Sequence, residues 1–342
     1  MSPAAVTRAD VARLAGVSTA VVSYVVNGGP KHVSPQTAER VRKAIGDLGY
    51  RPNALARALT TGSPQLLGFI APDLTNSFFA ELADAVGVAA SARGFDVIVA
   101  STGDDPERER SVTLNLVGRR VDGIIAATVL DPVSLAGMNV GATPRVLVDD
   151  VISIAGTVSI GTDLEDGAYQ ATNHLIGHGY PDIGIVTGPQ LEQQRVDSRR
   201  SGWLRALASA GMKPGPVIET DFTRQGGYQG MGRRLRSGPP PRAIFAASDL
   251  LAVGALRALH EAELSVPEDV AVVSFDGSAE SDFSRPRLTS LRQPINEIAE
   301  LAVAQALGSG TTVASRRRIR GTLVVRESCG CGRADRTSTR PT

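Results

Sequence analysis

The stretch TRADVARLAGVSTAVVSYVVN, residues 7–27, decides the fold of the N-terminal part of the chain. Thr7 and Asp10 have the spacing of a capping box, so we expect a helix to begin directly after Thr7. Gly16 can adopt the left-handed backbone conformation that ends this helix, and Ser18 can cap a second helix that runs to about Val26. Two short helices joined by a three-residue turn with glycine are typical of a helix-turn-helix.

A third helix and the charge distribution extend this interpretation. Ser34 and Pro35 supply an N-cap followed by proline at the first helical position, and Gly49 ends the helix. Residues 1–62 contain eight Lys/Arg and three Asp/Glu, a net charge of +5, so the rest of a chain of total charge +1 carries −4. A basic segment on a mildly acidic body is typical of a unit that meets nucleic acid. The helices alone also fit a packing unit with no role on DNA.

The identity of these residues points to one family. The residues that carry the resemblance are 10–18, 22–27, Val33, Ser34, Thr37, Arg40, Val41, 48–50, Pro52, Asn53 and 56–59. In them the chain resembles the headpiece of the lactose/galactose-repressor family of bacterial transcription regulators. The resemblance implies an all-α helix-turn-helix headpiece over residues 1–62, with a hinge helix at about 53–60.

The resemblance also implies which side chains meet DNA. Thr19, Ala20 and Tyr24 would face base edges from the recognition helix, and Ser18 and Ser23 would meet phosphates. Many members carry arginine where Tyr24 stands, and tyrosine cannot grip guanine bidentately, so the operator sequence cannot be copied from relatives.

The hinge is the second DNA-contacting segment that the resemblance implies. Leu59 would wedge into a central minor-groove step, and Ala56 would let the hinge helices of a dimer approach. The alternative for Leu59 is a plain linker residue. The full set expected to contact DNA is Thr7, Ser18, Thr19, Ala20, Ser23, Tyr24, Asn27, Asn53, Ala56, Arg57 and Leu59.

From Gln65 onward, apolar strand-like runs alternate with helical stretches. This rhythm predicts buried parallel sheets, and two groups of runs predict two lobes. The body is similar, more diffusely than the headpiece, to the periplasmic sugar-binding fold of the family. The expected fold class is therefore a helix-turn-helix headpiece plus an α/β two-lobed periplasmic-binding-protein-like core. The predicted boundaries are 63–330 for the core (lobe 1 about 63–162 and 292–322, lobe 2 about 163–291 and 323–330) and 331–342 for a disordered tail.

An effector is expected in the cleft between the lobes, because open parallel sheets bind ligands at the carboxyl ends of their strands. Carboxylates, an arginine fork and phenylalanine faces suit a small polyhydroxylated ligand, a sugar first and a purine or nucleoside second. Phe79 is equally compatible with a place in the core, whereas Arg199 and Asp276 would be unusual if buried without a partner. The resemblance, transferred position by position, implies contacts from Asp73, Phe78, Phe79, Asp149, Arg199, Phe222, Ser248 and Asp276.

Catalytic and metal-binding interpretations have weak support in the sequence. The nucleotide motifs G-x-G-x-x-G after the first strand and G-x-x-x-x-G-K-[ST] are absent, and no nucleophile–base pair is identifiable. Cys329 and Cys331 supply half of a zinc site and are interpreted as reduced spectator thiols. His174 and His178 lie four apart on a predicted helix but lack the glutamate of H-E-x-x-H, which favours a helix-terminus role. We expect no cofactor, no metal and no enzymatic activity.

The predicted function is a transcription repressor that binds a palindromic operator as a homodimer under the control of a small-molecule effector. No apolar stretch approaches the roughly 20 residues of a membrane span, and no secretory signal is recognisable. These observations predict a cytoplasmic, nucleoid-associated protein with no membrane partner. Two other classes stay open: a solute-binding transport protein that shares only the core fold, and a sugar-converting enzyme.

Overall fold

The computed structural model describes residues 6–27, 33–51, 63–149, 154, 157–189, 198–308 and 315–331. The predicted hinge helix at about 53–60 lies outside these ranges, as does the predicted tail apart from Cys331. The chain divides into two units, Met1–Pro64 and Gln65–Thr342.

The first unit contains three helices, α1 Arg8–Ala15, α2 Thr19–Asn27 and α3 Pro35–Leu48. The backbone N–H of Thr7 donates to the Asp10 carboxylate over 2.9 Å, which is one half of the predicted capping box. Gly16 ends α1 with φ of 64°, in the left-handed region that favours glycine. The three helices bury a small apolar core formed by Val11, Ala12, Ala15, Val22, Val41 and Ala44.

The second unit contains two six-stranded sheets. Its strands are β1 Leu66–Ala71, β2 Asp96–Ser101, β3 Gly123–Ala126, β4 Arg145–Val148, β5 Val158–Thr162, β6 Ile183–Thr187, β7 Val217–Glu219, β8 Ala243–Ala246, β9 Ala271–Asp276, β10 Thr289–Arg292, β11 Ser315–Ile319 and β12 Thr322–Val324. The strand orders are β11-β5-β4-β3-β1-β2 in the first lobe and β12-β10-β9-β8-β6-β7 in the second.

Nine helices of the second unit cover these sheets within the described ranges. They are α4 Ser77–Ser91, α5 Pro106–Gly118, α6 Pro132–Gly137, α7 Leu164–Gly177, α8 Ser198–Ser209, α9 Arg224–Ser237, α10 Asp249–Glu261, α11 Ala279–Phe283 and α12 Ile295–Ala306. Several begin at a capping side chain; Asp105, for example, caps α5 and Pro106 follows it at the first helical position.

The chain passes between the lobes three times. It leaves the first sheet after β5, returns after β10 to form α12 and β11, and crosses again to β12. All pairings in the first sheet are parallel, whereas β12 pairs antiparallel with β10 at an edge of the second. The prediction of parallel sheets is therefore wrong for β12. Only Arg320 and Gly321 separate it from β11, so it begins beside the carboxyl end of β10, where Thr322 pairs with Arg292, and runs in the opposite direction.

In the part of the chain that the structure describes, no single helix has the length and apolar composition needed to cross a membrane.

Candidate functional site

The helix-turn-helix exposes the start of α2. The directions of α1 and α2 differ by 103°, within the range expected for this motif. Ser18, Thr19 and Ala20 are exposed, and Ser23 and Tyr24 are half-buried one turn later on the same helix. The Ser18 hydroxyl accepts a hydrogen bond from the backbone N–H of Val21 over 3.3 Å, so this side chain also caps α2.

The structure describes only some of the other residues that were predicted to contact DNA. Thr7 is exposed at the start of α1, and its hydroxyl donates to the Asp10 carboxylate over 2.6 Å. This hydrogen bond is the main reason that the pKa of Asp10 is lowered. Asn27 ends α2. The predicted hinge contacts Asn53, Ala56, Arg57 and Leu59 lie outside the described residues.

The core brings four of the eight predicted effector residues together around Arg199. Nη2 of Arg199 lies 3.6 Å from Oδ1 of Asp149 and 3.9 Å from Oδ1 of Asp276. Its guanidinium carbon lies 6.0 Å from the centre of the Phe222 ring. It is closer still, at 4.8 Å, to the ring of Phe275, which the sequence analysis did not select.

The carboxyl ends of two strands aim the aspartates of this cluster. Asp149 directly follows β4 and Asp276 ends β9, and both adopt positive φ, 76° and 108°. Such conformations are costly for residues with side chains and concentrate at functional sites. A side chain at Gly188 would approach the Phe222 ring to 2.1 Å, so only glycine lets this ring lie at the end of β6.

The charges of the cluster are mutually dependent. Burial raises the pKa of Asp276 well above its usual range, the nearby carboxylates Asp249 and Asp149 raise it further, and Arg199 opposes this shift. Asp276 is only 3% exposed. Because Arg199 lies beside this buried acid, Asp276 can exchange one of its hydrogen-bond donors for a ligand hydroxyl while the guanidinium still compensates its charge.

The sequence did not reveal a pair of side-chain hydrogen bonds that link Asp276 of this cluster to Gln293 and Thr162. The Gln293 amide donates to Oδ1 of Asp276 over 2.9 Å, and its oxygen accepts from the Thr162 hydroxyl over 2.7 Å. Thr162 ends β5 of the first lobe and Asp276 ends β9 of the second, so these bonds connect the lobes. No local motif marks Gln293, because its partners are 17 and 131 residues away.

Asp249 is a second residue that sequence reasoning missed. Its buried carboxylate accepts hydrogen bonds from Ser274, Ser278 and Ser290 over 2.5–2.8 Å. Burial raises its pKa, and these hydroxyls lower it in part. The network fixes the backbone that follows β9, and therefore the position of Asp276.

The remaining four predicted effector residues make local contacts. The Asp73 carboxylate accepts from the Thr75 N–H over 2.8 Å, and the Ser248 hydroxyl caps α10 by accepting from Leu251 N–H over 3.2 Å. Phe78 is buried in the core of the first lobe, with its ring centre 5.1 Å from that of Phe79.

The lobes also touch through a set of polar contacts around Glu280. Its carboxylate accepts from the Ser77 hydroxyl over 3.1 Å and forms an ion pair with Arg224. Nearby, the Ala279 N–H donates to Glu81 over 2.8 Å. Ser77 and Glu81 belong to α4 of the first lobe, so this interlobe contact couples α4 to α11.

Comparisons with known proteins identify both units. Residues 7–53 match the profile of the lacI family of bacterial regulatory proteins, and residues 172–329 match that of a periplasmic binding protein-like domain. The chain is 34% identical over 302 residues to catabolite control protein A of Priestia megaterium, covering 87% of this chain and 90% of that protein. The chain belongs to the LacI family of bacterial regulatory proteins.

Two further relatives agree with this assignment. The ribose operon repressor of Escherichia coli K12 is 34% identical over 307 residues, which cover 87% of this chain and 91% of that protein. The crystal structure of the lac repressor dimer bound to operator and the anti-inducer ONPF superposes with a TM-score of 0.82 at 29% identity, over 95% of this chain and 99% of that one.

Family membership confirms the resemblance and the fold class that the sequence predicted. This regulator is a DNA-binding transcription factor and not an enzyme, as expected. Membership of the family also excludes the transport-protein interpretation, because a DNA-binding headpiece precedes the periplasmic binding protein-like core.

Proposed function

We propose that this regulator is a repressor that binds a near-palindromic operator as a homodimer and is controlled by a sugar in the cleft around Arg199. The observation that supports the ligand class most directly is Arg199 placed between Asp149 and Asp276 and beside two phenylalanine rings. The regulator acts in the cytoplasm, on the nucleoid.

The chemistry of the cluster favours a polyhydroxylated ligand. Two carboxylates accept hydroxyl hydrogen bonds, and the planar guanidinium donates two parallel ones. The exposed ring of Phe222, with 40% of its surface accessible, offers an apolar face to the C–H side of a sugar ring. We propose that the other four predicted effector residues contribute at the periphery of the site, through the turn, core packing and helix cap that they form: Asp73, Phe78, Phe79 and Ser248.

On the DNA side, exposed Thr19 and Ala20 and half-buried Tyr24 are proposed to read base edges, while Ser18 and Ser23 meet phosphates. Asn53, Ala56, Arg57 and Leu59 are proposed to form the hinge contacts, with Thr7 and Asn27 at the ends of the two helices. A dimer reads two half-sites, so the operator mirrors its twofold symmetry.

Effector and operator are coupled through the two lobes. The Thr162–Gln293–Asp276 chain connects the ligand-facing aspartate to the first lobe, so a ligand that displaces Gln293 changes the contact between the lobes. A ligand shifts this equilibrium only by its differential affinity for the two arrangements.

The deciding experiment recovers genomic fragments that the purified, ligand-free regulator retains at near-physiological salt. We expect a recurrent palindrome with a central pyrimidine–purine step, because such steps are the cheapest to kink. Repeating the capture with separate pools of pentoses, hexoses, disaccharides and purines identifies the effector class by loss or gain of the palindrome. Retention that responds to purines alone would contradict the sugar assignment.

Two variants test the DNA contacts. Leu59→Ala should weaken operator binding by roughly tenfold or more, because the wedge and the bend it supports are lost. Thr61→Ala, two residues away, is the control and should bind as the unmodified regulator does. If Leu59→Ala binds the palindrome as tightly as the unmodified regulator does, the proposed hinge contact is refuted. If the unmodified regulator binds the palindrome and a scrambled site equally well, the proposed operator recognition is refuted.

A further inference from the structure

Both cysteines of the chain and two of its four histidines meet at one place in the second lobe. The ligand atoms of His174, His178, Cys329 and Cys331 all lie within 4.8 Å of one another. In the sequence only the cysteines are recognisable as half of a zinc site, and the histidines favour a helix-terminus role. The fold joins the halves across a separation of more than 150 residues.

The distances within this His₂Cys₂ cluster resemble those around a tetrahedral ion. Nε2 of His178 lies 3.1 Å from Sγ of Cys331, and Nε2 of His174 lies 3.4 Å from the same sulfur. Zinc bonds of ordinary length in a tetrahedron separate neighbouring ligand atoms by about 3.6 Å. The cluster therefore needs only small side-chain rotations to enclose an ion.

The backbone supports this arrangement from both sides. His174 and His178 are one turn apart at the end of α7, so their rings project from the same face; the ring centres are 4.9 Å apart. Gly330, between the cysteines, has φ of 94°, a conformation that favours glycine. This turn brings the exposed Cys331 back over the helix beside the buried Cys329.

Simple packing does not account for the convergence. Burial explains Cys329, which belongs to the apolar core of the second lobe. His178 and Cys331 are exposed, and nothing in hydrophobic packing requires two exposed polar side chains to meet around a buried thiol. Thiolate and imidazole are the ligands that zinc prefers in structural sites, which use four protein ligands and no open position.

The cluster also lies at the point where the C-terminal segment packs against the second lobe, so a bound ion would stabilise that contact. Ser328, just before Cys329, donates from its hydroxyl to the Val272 carbonyl over 2.6 Å, and Tyr180 donates to the Cys329 carbonyl over 3.0 Å. These bonds attach the last described segment to β9 and to the loop before β6. An ion here would join that segment to α7, at the amino ends of the strands, away from the Arg199 cluster.

We propose that His174, His178, Cys329 and Cys331 form a structural zinc site that fastens the C-terminal segment to the second lobe. The site is separate from effector and operator binding. The cysteines act as thiolate ligands of the ion and undergo no redox change.

The test loads the untagged full-length regulator with zinc sulfate under reducing conditions, removes loose metal by gel filtration and measures zinc by mass spectrometry. We expect about one zinc per chain in the unmodified protein. Cys331→Ser and His178→Asn change exposed side chains, leave the core intact and should reduce this occupancy by roughly tenfold or more. His260→Asn, a histidine at the end of α10, is the matched control and should retain the metal.

A cobalt-substituted sample gives a second readout that folding alone does not move. The unmodified protein and His260→Asn should show the thiolate-to-cobalt charge-transfer absorption, and Cys331→Ser should show it weakened. A strong chelator should lower the melting temperature of the zinc-loaded protein and leave that of Cys331→Ser unchanged. Zinc content far below one per chain after loading, equal content in Cys331→Ser, or loss of zinc in His260→Asn would each overturn the proposal. So would a Cys329–Cys331 disulfide that persists in the reduced, zinc-loaded sample.

Discussion

Gln293 and Asp276 are joined by a side-chain hydrogen bond of 2.9 Å in which the amide donates to Oδ1 of the carboxylate. Asp276 is also the residue whose charge Arg199 compensates, at 3.9 Å. The Gln293 oxygen accepts from Thr162 of the first lobe over 2.7 Å. The carboxylate proposed to receive the effector is thus already committed to the contact between the lobes. A ligand hydroxyl that donates to Oδ1 of Asp276 must therefore compete with the Gln293 amide.

The raised pKa of Asp276 predicts a pH-dependent stability. Because its folded-state pKa lies above the ordinary value of 3.8, its contribution to the free energy of unfolding is complete below that pH and is lost as pH rises through the folded pKa. Each proton involved changes this free energy by up to about 1.4 kcal/mol per pH unit. The free energy of unfolding can be measured by urea denaturation at a series of pH values upward from 3.8. As the pH rises, this free energy should decline less in Asp276→Asn than in the unmodified protein. Exposed Asp84 supplies the control, and a decline in Asp276→Asn as steep as in Asp84→Asn would rule out this role.

Replacing Arg199 by lysine should separate effector binding from DNA binding. Lysine keeps the positive charge between Asp149 and Asp276 but loses the planar fork and its stacking on Phe275. We expect the affinity for the sugar found by pooled capture to fall by roughly 10–100-fold, the value of one or two charge-assisted hydrogen bonds. Calorimetry measures the sugar, and a gel-shift assay without sugar should show unchanged operator affinity.

Arg200 provides the matched control for that substitution. It lies next to Arg199 on α8 but pairs with Glu219 over 2.8 Å, outside the cluster. Arg200→Lys should bind the sugar as the unmodified regulator does. Equal losses in the two variants would mean that α8, and not the Arg199 fork, determines the affinity.

Removing the Glu280 carboxylate should open the cleft. Glu280 joins Ser77 of the first lobe to Arg224 of the second, so Glu280→Ala removes a contact that exists only when the lobes approach. We expect the radius of gyration in solution scattering to increase. The apparent dissociation constant of the sugar should rise severalfold, because a smaller fraction of molecules is ready to bind.

Glu261→Ala is the control for the interlobe contact. Glu261 bonds to Arg257 and Tyr228, both within the second lobe. Its removal should leave the radius of gyration and the sugar affinity unchanged. If Glu280→Ala scatters like Glu261→Ala and binds sugar equally well, the Glu280 contact does not govern the cleft.

Two glycine-to-alanine substitutions in helices should have opposite effects. A Cβ at Gly202 of α8 would lie 2.1 Å from the Glu165 carbonyl oxygen, so Gly202→Ala should separate α7 from α8 and cost about 1–3 kcal/mol. A Cβ at Gly232 of α9 would meet only a flexible arginine tip at 3.5 Å. Gly232→Ala should therefore stabilise the helix by about 0.5–1 kcal/mol. Melting temperatures of the two variants should move in opposite directions, and a shift in the same direction would contradict the packing seen here.

The predicted local elements agree closely with the structure wherever short-range chemistry fixes them. The capping residues Thr7 and Ser34 and the terminating residues Gly16 and Gly49 act within a few residues of the chain, so their patterns could be recognised directly. The apolar run that begins just after Gln65 likewise forms the predicted strand, β1.

Residues whose partners are distant in sequence could not be found in this way. Gln293, Asp249 and Phe275 belong to the effector cluster or support it, but each acts through contacts that only the folded lobes create. The antiparallel direction of β12 was missed for the same reason, since it depends on the end of the second sheet at which the chain arrives from β11.

The amino-acid sequence by itself determined the helix-turn-helix, the two-lobed α/β architecture and the family, because capping, periodicity and specific residue identities are local properties. It also supplied Arg199 and Asp276 as candidates. Only the tertiary structure decided that Arg199 lies between two carboxylates, that Gln293 joins the lobes, and that two histidines meet two cysteines. Those relationships depend on which strand ends, helices and loops the two folded lobes bring together from distant parts of the chain, which no short stretch of sequence specifies.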